Sequence, residues 1–565
     1  MTTRAGRPTP PSRSPRSSRR LPLLGLSAAL ALLLTGAGTG CTATPHYAPP
    51  QDRTFHVGAD GDDGNDGRSP DTAWRTLARA EREGLRPGDR LLLEGGARFP
   101  GTVTLGEGEA GSADRPVEIG SYGEGRARIV AADGPAVSVH NTAGVTIRDL
   151  DLTGGQGAYR RDGGINLYAD RPGTGTLDRV TVSGVDVSGF RIGLAVGSAA
   201  PGTGFKDVTV RETRLHGNKD AGLLTYGPDF DAKRPAYAHE NVTLERVEAD
   251  RNTGDPEEDR THSGSGIILG GVQGAVVRDS TAHDNGARGN ERSPAGPVGI
   301  WAYDATRVLF EHNTAYRNHT GSDVDGAGFG IDSNVSASTL QYNLAFHNDG
   351  PGFYVFTRYR NGAHTDNTLR WNMSAHDGRK LPLKGGIAVL GVDINKLRVY
   401  QNTVLMTATE HEQGPALRLQ DDEKDITVRN NNLITDGSPL VFVEKELDAP
   451  NVLLQGNNYR APQGQWTVTW AGRTYTGLAE WRAATGQEQL DGEPTGRTLD
   501  PCLSGGELPE VDEPSDARRL VPDCPNLAGK GLDLRERFGL DPGAEDYFGR
   551  TVPDPPPIGA AQPRT

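Results

Sequence analysis

Val308-Leu-Phe-Glu-His-Asn-Thr-Ala-Tyr-Arg-Asn318, followed by Gly328-Phe-Gly-Ile-Asp332, is one copy of a pattern that the chain repeats. Segments beginning at Val145, Val180, Val208, Val242, Ala275, Val308, Ser338, Asn367, Leu397, Ile426 and Val452 overlay without gaps, at spacings of 26 to 35 residues, within the range of solenoid repeats. The third position is apolar in every copy, from Ile147 and Val182 to Val428 and Leu454. The sixth is asparagine in the last six copies: Asn313, Asn343, Asn372, Asn402, Asn431 and Asn457. The eleventh is Asn218, Asn252, Asn285, Asn318 and Asn348, then Asp377. An amide recurring at one turn of every rung can hydrogen-bond to its copies along the axis. That satisfies a buried turn in a parallel solenoid and has no use in a helical repeat.

Each copy carries a second strand of the form Gly-apolar-x-apolar-x, as in Gly266-Ile-Ile-Leu-Gly270, Gly299-Ile-Trp-Ala-Tyr303 and Gly352-Phe-Tyr-Val-Phe356. Period-two alternation sends the apolar members inward and the others to one outer face. The expected fold is all-β: a right-handed parallel β-helix of about eleven or more rungs, with an N-terminal capping helix and an irregular C-terminal cap. The chain divides into a signal peptide (1–40), a linker (41–54), an N-terminal cap with first strands (55–110), the β-helix (111–460) and a C-terminal cap and tail (461–565).

Composition agrees with this. Glycine and proline, 76 and 38 of 565 residues, are too frequent for a coiled coil or helical bundle. The net charge is −14, and the first 40 residues hold six arginines and no acid, so the rest is more acidic still. Such a body repels phosphate backbones and anionic membranes, which argues against nucleic-acid binding.

The arginines up to Arg20, the apolar stretch Leu21 to Leu34 and the small residues before Cys41 read as an export signal. Leu34-Thr-Gly-Ala-Gly-Thr-Gly-Cys41 resembles a bacterial lipobox, which makes Cys41 a lipidation site and a lipid anchor there the one expected membrane attachment. The expectation is a bacterial protein, monomeric, secreted or held as a lipoprotein on the outer face of the cytoplasmic membrane. Cys502 and Cys524 remain as an even pair compatible with one disulfide, and neither has a partner at zinc spacing.

The outer positions of the second strand vary along the solenoid, running Trp301/Tyr303, Gly330/Asp332, Tyr354/Phe356 over three successive rungs, with Tyr226 further back. Aromatic faces beside a carboxylate suit a sugar, whose C–H faces pack on rings while acids carry out proton or nucleophile chemistry. Asp325 and Asp349 each lie three residues before a strand glycine, and His262 and Glu412 lie four before theirs. Equivalent positions on adjacent rungs stack about 4.8 Å apart. Two carboxylates so close would split their pKa values into an acid and a base. Taken singly, each Asp-Gly is a turn dipeptide, and His262 either helps the site or caps a turn.

Ser322-Asp-Val-Asp-Gly-Ala-Gly-Phe-Gly-Ile-Asp332, with Leu340-Gln-Tyr-Asn343 and His347-Asn-Asp-Gly-Pro-Gly-Phe353, resembles the core signature of secreted bacterial right-handed parallel β-helix proteins of the pectate-lyase-like superfamily, nearest to glycoside-hydrolase-type β-helices. Gly58-Ala-Asp-Gly-Asp-Asp-Gly-Asn65 and Trp74-Arg-Thr-Leu-Ala-Arg-Ala80 are similar to that superfamily's N-terminal cap, and Asp546-Tyr-Phe-Gly549 to its ending. The resemblance implies Asp325, Asp332 and Asp349 as the acids of the cleft. It departs at Ala327 and Gly330, where relatives often carry further acids.

Three readings stay open. The first is hydrolysis of glycosidic bonds in a polysaccharide or oligosaccharide, with Asp325 and Asp349 as acid and base or nucleophile and Asp332 as a third carboxylate. Trp301, Tyr303, Tyr354, Phe356 and Tyr226 would then form subsites, Arg358 and Arg360 would anchor a uronate, and no cofactor would be required. The second is a lyase or epimerase acting on uronates, with Lys384 or Arg418 as base and Ca²⁺ held by Asp323, Asp325 and Asp349. The third is a lipid-tethered, non-catalytic glycan-binding or structural β-helix.

Overall fold

The structure, a computed structural model, describes residues 52–155, 163–409, 414–420, 423–445, 447 and 451–564. The export segment, Cys41 and Glu412 lie outside the described residues.

Each coil contributes one strand to each of three long sheets; in one coil these are Thr306–Glu311, Thr314–Tyr316 and Ala327–Ile331. In chain order we call these the first, second and third sheets, of 14, 13 and 14 strands. Successive coils pair in parallel, and the register in the first sheet is that of the overlay: Val145 to Val180 to Val208 to Val242, and later Leu340 to Leu369 and Ile426 to Val452. This is the expected parallel β-helix.

The overlay starts too late. Phe55 pairs with Leu91, Leu91 with Ile119 and Ile119 with Ile147, so three further rungs precede Val145 and the first strand begins at Thr54. Those rungs lack the asparagine turns, and Arg90-Leu-Leu-Leu-Glu94 reads in isolation as a lone strand. The short helix Leu77–Glu81 buries Leu77 and Ala80 against the start of the core, as the capping expectation required.

The asparagine columns form two ladders inside the turns. Asn343 accepts from the backbone N–H and the side-chain amide of Asn313, both at 3.0 Å, while its own amide donates to the Phe310 carbonyl at 2.8 Å. The same geometry recurs from Asn372 to Asn457, and in the second column from Asn218 to Asp377. All are buried, so each unpaired amide would cost a desolvation penalty that the next rung removes. The first ladder ends on Glu488, which accepts from the Asn457 amide at 2.7 Å and the Tyr459 hydroxyl at 2.6 Å.

The C-terminal region does two things. The helix Leu478–Thr485 sets Trp481 against Tyr459 and Trp470 and covers the last rung, as expected of a cap. Beyond it, the tail turns back along the second sheet instead of staying at the end. Leu503, Val511, Leu520 and Ala560 pack on Phe346, Met373, Leu405 and Ile434, and Trp371 donates to the Pro542 carbonyl at 2.6 Å. Cys502 and Cys524 are disulfide-bonded within this tail.

Candidate active site

The third sheet carries the site. Its outer column runs through Ile268, Trp301, Gly330, Tyr354, Ala388 and Arg418 in direct register, with Gly270 beside Tyr303 and Phe356 beside Leu390 in the parallel column. The aromatics are not an open platform. Loops fold over this face, and Trp301 and Tyr354, only 6% and 4% exposed, pack with Ile268, Val298, Ala388 and Leu390 into an apolar cluster separate from the solenoid core. What remains accessible is a cavity of about 680 Å³.

Seven of the nine expected catalytic and binding residues line that cavity: Asp325, Asp332, Trp301, Tyr303, Tyr354, Phe356 and Arg358. Tyr226 lines a separate cavity of about 500 Å³ on the same face. Asp349 lines neither.

Asp325 and Asp349 do sit on adjacent backbones, since the Gly350 N–H donates to the Gly326 carbonyl at 2.9 Å. Their side chains part because Asp325 has φ of +58°, in the left-handed region, and Asp349 does not. Asp325 accepts from the Gly296 N–H at 2.7 Å and faces the cavity. Asp349 accepts from the Thr320 N–H at 3.0 Å, stands 3.3 Å from His319 Nδ1, and takes the Lys380 and Leu381 N–H groups on its carbonyl. Of the three expected acids, Asp325 and Asp332 thus line one cavity, whereas Asp349 does not line it and braces the loop that leads to Lys384. Asp325-Gly326 is a turn whose aspartate also lines the cavity.

Asp332 accepts from the N–H and hydroxyl of Ser333 and, at 3.4 Å, from the Tyr354 hydroxyl. Burial raises its pKa and the Ser333 bonds oppose the rise. Burial pushes Asp325 up to about 6; its bond from Gly296 and the nearby Lys384 work the other way, while the charge of Asp332 adds to the rise. Burial also lowers the Lys384 ammonium, which Asp325 partly restores. An acid and an amine, each displaced toward neutrality, thus share one cavity.

Two further ionisable groups line the cavity, Asp304, which the sequence did not single out, and His262, which it did. Asp304, raised by burial, accepts from the Asn334 amide at 2.6 Å. Its signal was its place one residue after Tyr303. His262, more than a turn residue, stands edge-on to Trp301 with ring centres 5.1 Å apart, and its pKa is lowered by burial.

Of the three acids named for calcium, Asp325 and Asp349 turn to different partners and Asp323 is exposed. Among the described residues, the groupings with metal-ligand geometry are Glu248–Asp250–His283 and His347–Glu510–Asp512, both on the outer side of the second sheet. Asp250 is already held by Arg214 at 2.9 Å and Arg251 at 2.8 Å.

Coil, register and ladders define the class, a right-handed β-helix, and residues 240–404 match the family model described as the right handed beta helix region. The right-handed β-helix expected from the sequence agrees with that match. Among curated proteins the chain is similar to the lacto-N-biosidase of Bifidobacterium longum subsp. longum, 23% identical over 485 residues, covering 68% of this chain and 29% of that protein. It is also similar to mannuronan C5-epimerase AlgE5 of Azotobacter vinelandii, 28% identical over 256 residues, covering 42% of this chain and 22% of that one. The chain thus spans less than a third of the length of these relatives. Among solved structures it resembles the GH136 lacto-N-biosidase from Eubacterium ramulus, with a TM-score of 0.49 and 18% identity over 66% of this chain and 68% of that one.

Proposed function

We propose that the protein is a carbohydrate-active enzyme that hydrolyses glycosidic bonds, with Asp325 and Asp332 as its two carboxylates. The observation that carries this reading is that both acids, half-buried, face one cavity walled by Trp301, Tyr303, Tyr354 and Phe356. Asp325, pushed up to about 6, is suited to hold a proton and deliver it to the departing glycosidic oxygen. Asp332, held by Ser333 and Tyr354, is suited to act as the anion. It either attacks the anomeric carbon or takes a proton from the water that does, and the anomeric configuration of the first product distinguishes the two. The names of the relatives, a lacto-N-biosidase and mannuronan epimerases, support a carbohydrate substrate.

A second reading, elimination or epimerisation at a uronate, is favoured by Lys384, a cation in the same cavity whose pKa burial lowers toward that of a base, with Arg358 and Arg418 also lining it. The deciding experiment offers the mature chain neutral and uronate-containing polysaccharides, with and without a calcium chelator, following reducing ends and unsaturated-sugar absorbance together. Reducing ends without unsaturation, insensitive to chelation, support hydrolysis, and unsaturated products overturn it. Silence with retained glycan binding leaves the tethered binding protein.

The proposal includes a location outside the cytoplasm, with lipid attachment at Cys41. The arginine-rich start, the lipobox-like segment and the Cys502–Cys524 disulfide support it. Palmitate labelling of the wild type and of Cys41→Ala tests it.

A further inference from the structure

The second cavity, of about 500 Å³, is lined by Asn166, Tyr168, Ser198, Tyr226 and Asp229 among others, and lies on the same sheet face as the first. The outer column that floors it alternates. Tyr168 pairs with Gly197 and Gly197 with Tyr226; one rung on, Gly270 pairs with Tyr303, which lines the main cavity. The glycines are there for the rings. A Cβ at Gly197 would stand 2.3 Å from Cζ of Tyr226, and one at Gly270 the same distance from Cζ of Tyr303. Each tyrosine therefore lies flat across the glycine of the rung before it, so that one ring covers two rungs. At the far end Tyr168 stacks on His140, with ring centres 5.8 Å apart and planes 20° from parallel.

The two cavities are neighbours. Only the rung of Ile268 and Gly270 separates Tyr226 from Tyr303, and that rung is the one Tyr303 covers. The charge of Asp229 in the second cavity acts on Asp304 in the first. From Tyr168 to Phe356 the outer column crosses six rung intervals, about 29 Å at the usual strand spacing. That is longer than a disaccharide or trisaccharide.

We propose that the second cavity is an additional sugar-binding site, and that the ligand is a linear glycan laid parallel to the solenoid axis on the flat rings of Tyr226 and Tyr303, with the Tyr168 ring, stacked on His140, closing the far end of the row. Pyranose C–H faces pack on such rings, and Asn166 and Asp229 offer hydrogen-bonding groups at the same level. The proposal rests on the glycosidic reading of the main cavity and extends it from a short ligand to a chain.

The test measures binding on Asp325→Asn, so that the ligand survives, using gluco-, xylo-, mannurono- and galacturono-oligosaccharides from disaccharide to octasaccharide. For the series that binds, the octasaccharide is expected to bind about tenfold more tightly than the disaccharide. Tyr168→Ala and Tyr226→Ala should each cut that advantage about fivefold, and Tyr226→Phe, which keeps the ring, should preserve it. Melting curves confirm that each variant is folded. Affinity that does not grow with length, or an advantage that survives both alanine variants, overturns the proposal while leaving hydrolysis by the wild type as a separate result. Length-dependent binding without any release of reducing ends by the wild type sinks the hydrolase reading and keeps this one. Absence of binding to all four series overturns both.

Discussion

The Tyr354 ring lies across Gly330, so close that a Cβ there would stand 2.1 Å from Cε1, and from that position its hydroxyl reaches Asp332. Gly330 is what lets the tyrosine lie down. Gly330→Ala is expected to lift the ring and lower kcat by about 10²-fold, since a shift of an ångström at a reacting group costs that much. Steady-state kinetics beside a melting curve check it: an unchanged kcat would mean that Tyr354 does not position Asp332.

Asp325→Asn should lower kcat by about 10²–10⁴-fold, the range of a general acid. It should also stabilise the fold. Asp325 is raised to about 6 in the folded protein, so the folded state holds its proton more tightly than the unfolded chain does. Stability is therefore lost as pH rises from about 4 to about 6. The asparagine variant escapes that loss, and its melting temperature should exceed the wild type's at pH 8 and match it near pH 3.5.

The pH profile of kcat/KM should fall on the alkaline side with an apparent pKa near 6, as Asp325 gives up its proton. Lys384 lowers the pKa of Asp325, so Lys384→Met should move that limb to higher pH while reducing ends are still released. In the lyase reading the same variant abolishes unsaturated product. One substitution thus separates the two chemistries.

Asp349→Ala leaves the Thr320 N–H unpaired and should cost about 1–3 kcal/mol in denaturant unfolding. Its effect on kcat should stay well below that of Asp325→Asn. A loss as large as that of Asp325→Asn would restore Asp349 to the chemistry.

The solenoid was legible because its periodicity is written in residue type: Asn313, Asn343 and Asn372 stand for a ladder whether or not the loops between them are understood. Asp332 and its aromatic neighbours were legible for the same reason, since strand alternation assigns their face. Asp325 and Asp349 were not distinguishable, because they share residue type, offset and a following glycine and differ in the sign of φ. Tyr226 shares the column of Tyr303, and only the folded loops show that it faces a second cavity. The returning tail was hidden as well. Its partners Phe346, Met373 and Leu405 occupy outward positions that alternation reads as solvent-facing.

That tail has a mechanical consequence. A solenoid ordinarily behaves as a one-dimensional stack in which each coil feels only its neighbours and can fray from an end. Here the last residues tie distant coils to one another: Tyr342 donates to the Glu545 carbonyl, Tyr400 to that of Asp541, and the Asn430 amide to that of Leu532. The coils so joined include those that bring Tyr354, Lys384 and Arg418 to the cavity. Fraying from the C-terminal end must first peel off the strap, so the coils behind the candidate site melt together with it rather than one by one.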